Sequence, residues 1–516
     1  MSFQQNRRDI NCSGWGPYSL QGIGLSHANP EGHLMSIIPY CGYMSSKSVF
    51  PQMRDYRKDF EVLHALPDLS RYAFRYLIEP DKSVFIDAEY TTIDKNSALL
   101  RLKYNNNSKS TKLMHSWLGF TFEPAKLKPK LILQKDMKVI QAEEYSYIDC
   151  KHSSWDEEMP YGITRDANAT TGRAFSSRLC TGNIIKWILP ENVKKCKYIF
   201  IRYTLGEDDF KIKLNNKILN LKGTNNQYAF SEVLSFDLEK TKELILKQYK
   251  SIMDFKVDCI ILSEKKIYPE IKDTNISPNI MDYKYDDKLA FVKLKEFKKV
   301  YGIKSEHLFS KTEFSPRRWF KTLHTDGPYE IDYRLLTIAN LNHPDTFCEC
   351  RHLAMGTKIL KLKLGESATQ EFIISTGNTE NEFKTNIDNA CEAKNNILVG
   401  INKKLQTFEE RFDGKFSDFA QKLSTQLLCN ISYPGYMEDH FVKYYTPSKY
   451  YNTFYLWDMG MTGIGLTSVS KENSIDLLNQ YFNEDSCPTP FIQHGTLLPI
   501  HIILYWQIYS DRKSVV

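Results

Sequence analysis

The chain has 516 residues, 25% of them charged and 42% hydrophobic, with a net charge of +6. That length exceeds what one compact core fills and points to roughly two to four domains. Lys and Arg are scattered rather than gathered into blocks, which argues against a nucleic-acid or membrane-surface partner.

The opening stretch "MSFQQNRRDINCSGWG" carries two arginines but no apolar run behind them, so it does not read as a secretory signal. The longest apolar run, "LLPIHIILYWQI" at 497–508, is interrupted by Pro499 and His501. It is shorter than the roughly 20 residues that span a bilayer, so no membrane partner is expected. Eleven cysteines are dispersed without the dense spacing of a small disulfide scaffold. They read as free thiols, mostly buried, in a reducing compartment, and the expected location is cytoplasmic.

From about residue 30 to 378 the pattern is that of strands. "KSVFIDAEYTTI", "SALLRLKYN", "HSWLGFTFEP", "KYIFIRYTL", "FKIKLNNKILNL", "FKVDCIILSE", "YEIDYRLLTIANL" and "TQEFIIST" are short, rich in β-branched and aromatic residues, and bounded by turn formers. No helical period interrupts them regularly, so an antiparallel sandwich fits better than βαβ units. Within this span Cys348, Cys350 and His352 alternate on one strand face. A metal site needs a fourth ligand, and a plain strand face accounts for the three. Trp117 and Trp319 fit either surface sugar platforms or core positions. "GWGPYSLQGIG" has Ser19 where a dinucleotide loop needs Gly, and no strand pattern precedes it.

After "STGNTEN" the period changes. Phe383, Ile387, Cys391, Ile397, Ile401, Leu405, Phe408 and Phe412 form one stripe of a long helix that Gly414 ends. Phe416, Phe419, Ala420, Leu423, Leu427 and Ile431 mark a second amphipathic helix. Ile475, Leu478 and Phe482 mark another, which Ser470 can cap. From Thr496 to Tyr509 the pattern is apolar on every side, as in a helix enclosed by others.

The chemistry concentrates at "YNTFYLWDMGMTGIGL", residues 451–466. Asp458 either caps the helix that follows or serves as a reactive carboxylate. Capping does not account for Gly460, Gly463 and Gly465, each of which costs a helix about 1 kcal/mol relative to Ala. Something there must come close to the backbone or need space. Tyr450, Tyr451, Phe454, Tyr455 and Trp457 precede the carboxylate, and sugars bind well on such flat amphipathic faces. Glu438 and Asp439 are the nearest earlier carboxylates, either a second acid or base or an exposed loop. Gln493 and His494 precede the last helix and are placed to line the same end of the domain.

At "TFYLWDMGMTGIGL" and "TPFIQHGTLLPIHIILYWQIY" the sequence resembles glycoside hydrolases with an (α/α)6 barrel behind an N-terminal β-supersandwich, the six-hairpin glycosidases. The processing α-glucosidase group, glycoside hydrolase family 63, is the nearest, with trehalases and bacterial α-L-rhamnosidases as neighbours. Trp457 and Asp458 match the first motif. Pro499, Trp506, Ile508 and Tyr509 match the second loosely, and the second proline of the family's usual pair is missing, since Leu498 precedes Pro499. The resemblance implies a multidomain protein of antiparallel β-supersandwich over 1–378, linker helix over 379–414, and the start of the barrel over 415–510. It also implies an inverting, metal-independent hydrolysis of α-linked oligosaccharides with no cofactor. Asp458 would be the general acid, with Trp457, Tyr455, Tyr451 and His494 at the sugar subsite. The family's base is a Glu late in the barrel, so this chain alone is expected to release no sugar. A non-catalytic carbohydrate-binding protein and a glycoside phosphorylase of like architecture are the alternatives. The last six residues, "DRKSVV", are polar and out of phase, and 511–516 is expected to be a foreign tail replacing further natural sequence.

Overall fold

The computed structural model describes residues 14–18, 24–29, 33–44, 49–50, 60–123, 129–149, 162–165, 169–171, 173–177, 183–225, 227–248, 255–272, 280–286, 288–294, 297–316, 351–412, 414, 417–437, 440–445, 456–482 and 500–513. The chain divides into two compact units. One comprises Met1–Ala125, Ile276–Pro488 and Thr496–Val516, and the other is built chiefly from Lys126–Asn275, inserted within the first. The long strand-rich span thus contains two separate β-structures.

The first unit is built on two eight-stranded antiparallel sheets. At the centre of one, Leu34–Met44 pairs with Lys112–Glu123, which pairs in turn with Arg351–Thr357. In the other, Glu366–Gly377, Ser97–Asn106, Val84–Thr92, Arg71–Leu77 and Phe60–Ala65 follow one another across the sheet. Alternation set these strands: Val84, Ile86, Ala88 and Tyr90 are buried, and the residues between them are half-buried. Met35, Ile37, Phe120 and Phe122 of the first sheet share one core with Phe74, Ile86, Leu100, Leu102 and Phe372 of the second. Tyr104 is fully enclosed there, and its hydroxyl lies 2.6 Å from Ser116 Oγ and donates to Gln370 Oε1 at 2.9 Å. A buried phenol without such partners would destabilise this core. Burial also pushes His27 down to about 3, between Trp15 and Tyr301. The unfolded chain therefore binds a proton at this histidine below pH 6.5 that the folded chain refuses. Stability is expected to fall by about 1 kcal/mol from this residue between pH 6.5 and 5.5. Urea midpoints of wild type and His27→Gln across that range measure it; equal slopes would show that His27 contributes nothing.

Helix α1 (Glu380–Glu409) lies on the outer face of the second sheet, its Phe383, Ile387, Ala390 and Leu398 against Leu99, Phe291, Val300 and Ile373. Thr379 caps it by accepting the Glu382 N–H at 3.1 Å. A charge ladder also links sheet and helix: Lys394 to Glu371 at 2.6 Å, Arg101 to Glu371 at 2.7 Å, and Arg71 to Glu89 at 2.7 Å. The expected linker helix is present, and Gly414 beyond it takes φ +89°, a left-handed conformation suited to glycine.

Four shorter helices follow: α2 (Ser417–Cys429), α3 (Leu456–Thr467), α4 (Lys471–Phe482) and α5 (Ile500–Lys513). A hairpin of Ile431–Met437 and His440–Tyr445 separates α2 from α3. Their buried residues Leu428, Met459, Leu466, Leu477 and Leu504 belong to the same core as the two sheets. Among the described residues, α2–α5 form no closed barrel.

Two patterns read from sequence point the wrong way. Phe419 and Leu423, taken as the inner stripe of α2, are 64% and 49% exposed, and the buried face carries Ser424, Thr425, Leu428 and Cys429. Amphipathic period locates a stripe but not the neighbour that covers it; α2 contacts the strand Phe60–Ala65. The expectation of an enclosed helix at 496–509 also gives way. Ile500, Leu504 and Ile508 are buried, while Ile502, Ile503, Tyr505, Trp506 and Tyr509 are exposed. The helix runs on through Asp511, Arg512 and Lys513.

The inserted unit is a second antiparallel sandwich of one seven-stranded and one five-stranded sheet. Trp187, Ile212, Leu214, Leu244 and Leu246 meet Phe175, Ile199, Ile201, Val257 and Ile260 between them. The apparent single strand "FKIKLNNKILNL" is a hairpin of Phe210–Leu214 and Lys217–Leu221, with Asn215 at φ +49°. Asn tolerates that left-handed turn position.

Candidate functional site

Asp458 is the third residue of α3, not the residue before it, because Leu456 and Trp457 are already helical. Its carboxylate is half-buried in the first turn, beside the fully buried Met459. Free N–H groups at a helix start favour a negative charge nearby. Tyr451, Tyr455 and His494 lie outside the described residues, as do Glu438, Asp439 and Gln493, and of Trp457 the backbone alone is described. Among the expected site residues the structure thus places Asp458. Cys348 and Cys350, the strand expected at 329–341 and Trp319 are also outside the described residues. No group of three or more His, Cys, Asp and Glu suited to a metal occurs among the described residues.

The glycines that made this stretch conspicuous have a packing explanation. A Cβ on Gly460 would lie 2.3 Å from Ile500 Cγ1, and one on Gly463 would lie 2.5 Å from Leu504 Cδ2, both on α5. A Cβ on Gly465 would lie 2.8 Å from Leu427 Cδ1 on α2. Ser474 on α4 donates its hydroxyl to Gly463 O at 2.9 Å. Close approach, one of the two needs inferred from sequence, is met by neighbouring helices. The bare backbone seats branched side chains from α5 and α2 against α3, the helix that carries Asp458.

Gly460→Val is therefore expected to cost about 1–3 kcal/mol through overpacking against Ile500. Gly400→Ala, where nothing lies within 4 Å of the added Cβ in α1, should instead stabilise by up to about 1 kcal/mol. Urea midpoints of the two variants would settle it, and equal stability of Gly460→Val and wild type would remove the packing account.

Ser470 caps α4 as expected, its hydroxyl accepting the Asn473 backbone N–H at 3.4 Å and also Asn473 Nδ2 at 2.9 Å. Asn473 Nδ2 also donates to Pro67 O at 2.9 Å, and its Oδ1 accepts from the Tyr445 hydroxyl at 3.2 Å. This buried polar knot joins helix, hairpin and sheet edge within the first unit.

One constellation was missed from sequence. In the inserted unit the Asp258 carboxylate is fully buried and accepts from Arg202 Nη1 at 2.6 Å, from the Thr170 N–H at 2.8 Å and from Thr170 Oγ1 at 3.0 Å. The guanidinium lies 4.4 Å from the centre of the Tyr228 ring. Arg202 pairs with Cys259 and Tyr203 with Val257, so Asp258 is the extra residue of a β-bulge. A bulge re-aims a side chain, here onto Arg202. The signal was a single carboxylate within the apolar run "FKVDCIILSE".

No protein-family model matches the chain, and no curated protein matches it. Among solved structures, the CBM35 of Abf62 from Cellvibrio japonicus is similar over 26% of this chain and 96% of its own, at 11% identity and a TM-score of 0.19. CsCBM6-3 from Clostridium stercorarium, solved in complex with cellobiose, is similar over 25% of this chain and 94% of its own, at 13% identity and a TM-score of 0.18. A putative aldose 1-epimerase from Escherichia coli K12 is similar over 70% of this chain and 99% of its own, at 9% identity and a TM-score of 0.24. Scores this low fix neither fold nor function, and the reading below rests on the chain's own residues. Among the described residues no helix is long and apolar enough to cross a membrane. Cys196, Cys259 and Cys391 are free thiols, and the first two are buried.

Proposed function

We propose that this sequence carries the general-acid half of an inverting glycoside hydrolase acting on α-linked oligosaccharides, with Asp458 as the acid. The observation that carries the reading is the position of that carboxylate. It is half-exposed in the first turn of a helix held rigid by three glycine contacts, directly after an aromatic-rich lead. The order of a two-sheet module, a helix laid on one sheet, and then packed helices is the order the family resemblance implies, and it supports the same reading.

Inverting hydrolysis also needs a base that activates water, its carboxyl group about 6.5–9.5 Å from the acid. This reading assigns Asp458 to the proton and none of the described residues to the water. Trp457, Tyr455, Tyr451 and His494 are proposed to form the sugar subsite. The test is the effect of Asp458→Asn on sugar release and on sugar binding, measured separately in the protein as it occurs naturally. Binding without release by either form would favour a carbohydrate-binding protein, and release dependent on inorganic phosphate would favour a phosphorylase.

A further inference from the structure

The five-stranded sheet of the inserted unit buries one face and exposes the other. On the exposed face Lys213 stands directly opposite Lys247 on the neighbouring strand. Lys186, paired with Ile245, is one diagonal step from Lys247. Lys211 lies two residues before Lys213 on the same strand. Tyr147 is opposite Lys186, whose ammonium sits 4.9 Å from the centre of its ring. Tyr147 is 48% exposed and Ile218, opposite Lys213, is 68% exposed. The face is therefore a flat surface on which cations alternate with apolar side chains.

Like charges directly opposite on adjacent strands destabilise a sheet. Isolated lysines suffice to keep an exposed sheet face soluble, so solubility does not require Lys213 to face Lys247. The ion pairs described in this unit join Lys194 to Glu191, Arg202 to Asp258 and Lys222 to Asp209, and they use none of the four lysines. Asp149 and Glu243 stand on the same face without taking one of these lysines as a partner.

We propose that this face binds a carboxylated glycan, a polysaccharide containing uronic acids. Its carboxylates would lie among Lys186, Lys213 and Lys247, and its rings would rest on Tyr147 and the aliphatic side chains. Charge complementarity selects a polyanion. The side-chain chemistry selects the kind: among the described residues no arginine fork for phosphate stands on the face, and one aromatic ring does not make a base-stacking track. Compact ammonium groups beside apolar patches suit isolated carboxylates on flat sugar rings. The proposal goes beyond the hydrolase reading and does not rest on it, since it concerns binding in the other unit.

The experiment is native affinity electrophoresis of the full chain through gels containing polygalacturonate, dextran or duplex DNA, at several salt concentrations. Polygalacturonate is expected to retard the protein, dextran is not, and salt should weaken the retardation. Lys213→Glu with Lys247→Glu should raise the dissociation constant at least about tenfold, because it replaces attraction with repulsion at the centre of the face. Lys213→Gln with Lys247→Gln should give a smaller loss in the same direction. Equal retardation of wild type and both double variants would overturn the proposal. So would no retardation by polygalacturonate, or tighter retardation by DNA at equal salt. Asp458→Asn should leave the retardation unchanged, so failure here and failure of the hydrolase reading are read out separately.

Discussion

Asp458→Asn is expected to lower sugar release by about 100-fold or more in the naturally occurring protein, with substrate binding nearly unchanged. That loss corresponds to about 2.7 kcal/mol of activation free energy. General acid catalysis contributes typically 10²–10⁴-fold, because the proton is delivered as the glycosidic bond breaks and not before. Asn has the size of Asp and still accepts hydrogen bonds at the helix start, but it has no acidic proton. The first turn of α3 should therefore keep its conformation, and turnover should fall while binding persists. Initial rates on an α-linked disaccharide, beside binding calorimetry with the same sugar, decide the matter. Near-wild-type turnover would reduce Asp458 to a charge at a helix end.

The second large effect concerns the inserted unit. Asp258→Ala is expected to destabilise it by about 3–5 kcal/mol, because it leaves the Arg202 guanidinium buried without its anion. It also strips the Thr170 N–H of its acceptor and leaves the Thr170 hydroxyl with Gln141 Oε1 at 3.2 Å. The informative comparison is Asp209→Ala, which removes a pair with Lys222 whose side chains are 46% and 66% exposed. Solvent already screens that pair, so its loss should cost much less than the loss of Asp258. Urea unfolding followed by tryptophan fluorescence reports on this unit through Trp187, buried in its core. If both variants lost stability equally, the Arg202–Asp258 pair would not be the pin described.

Periodicity made much of this architecture legible. Alternation gave the strands at 84–92, 97–106 and 366–377, and the 3.6-residue stripe from Phe383 to Phe408 gave α1, because each pattern reflects how that one segment divides its side chains between inside and outside. Turn chemistry was partly legible: the Asn215–Asn216 pair breaks what first reads as one strand. Asp458 stood out through its neighbours in sequence. Its place inside the first turn was not legible, since helix starts are fixed by backbone hydrogen bonds that composition leaves open by a residue or two.

The sequence by itself determined many of the strands and the long helix α1, and the antiparallel character of the strands, while Ile431, read as the end of a helix, opens the hairpin strand Ile431–Met437. Those features depend on interactions within a segment or between a segment and water. The tertiary structure alone decided that the strand-rich span holds two units and that α2 turns Phe419 and Leu423 outward. It alone set Ile500 and Leu504 on Gly460 and Gly463, and a bulge at Asp258 that meets Arg202. Each depends on contacts between residues tens of positions apart, and a local hydrophobic pattern gives the face to be covered without naming the segment that covers it.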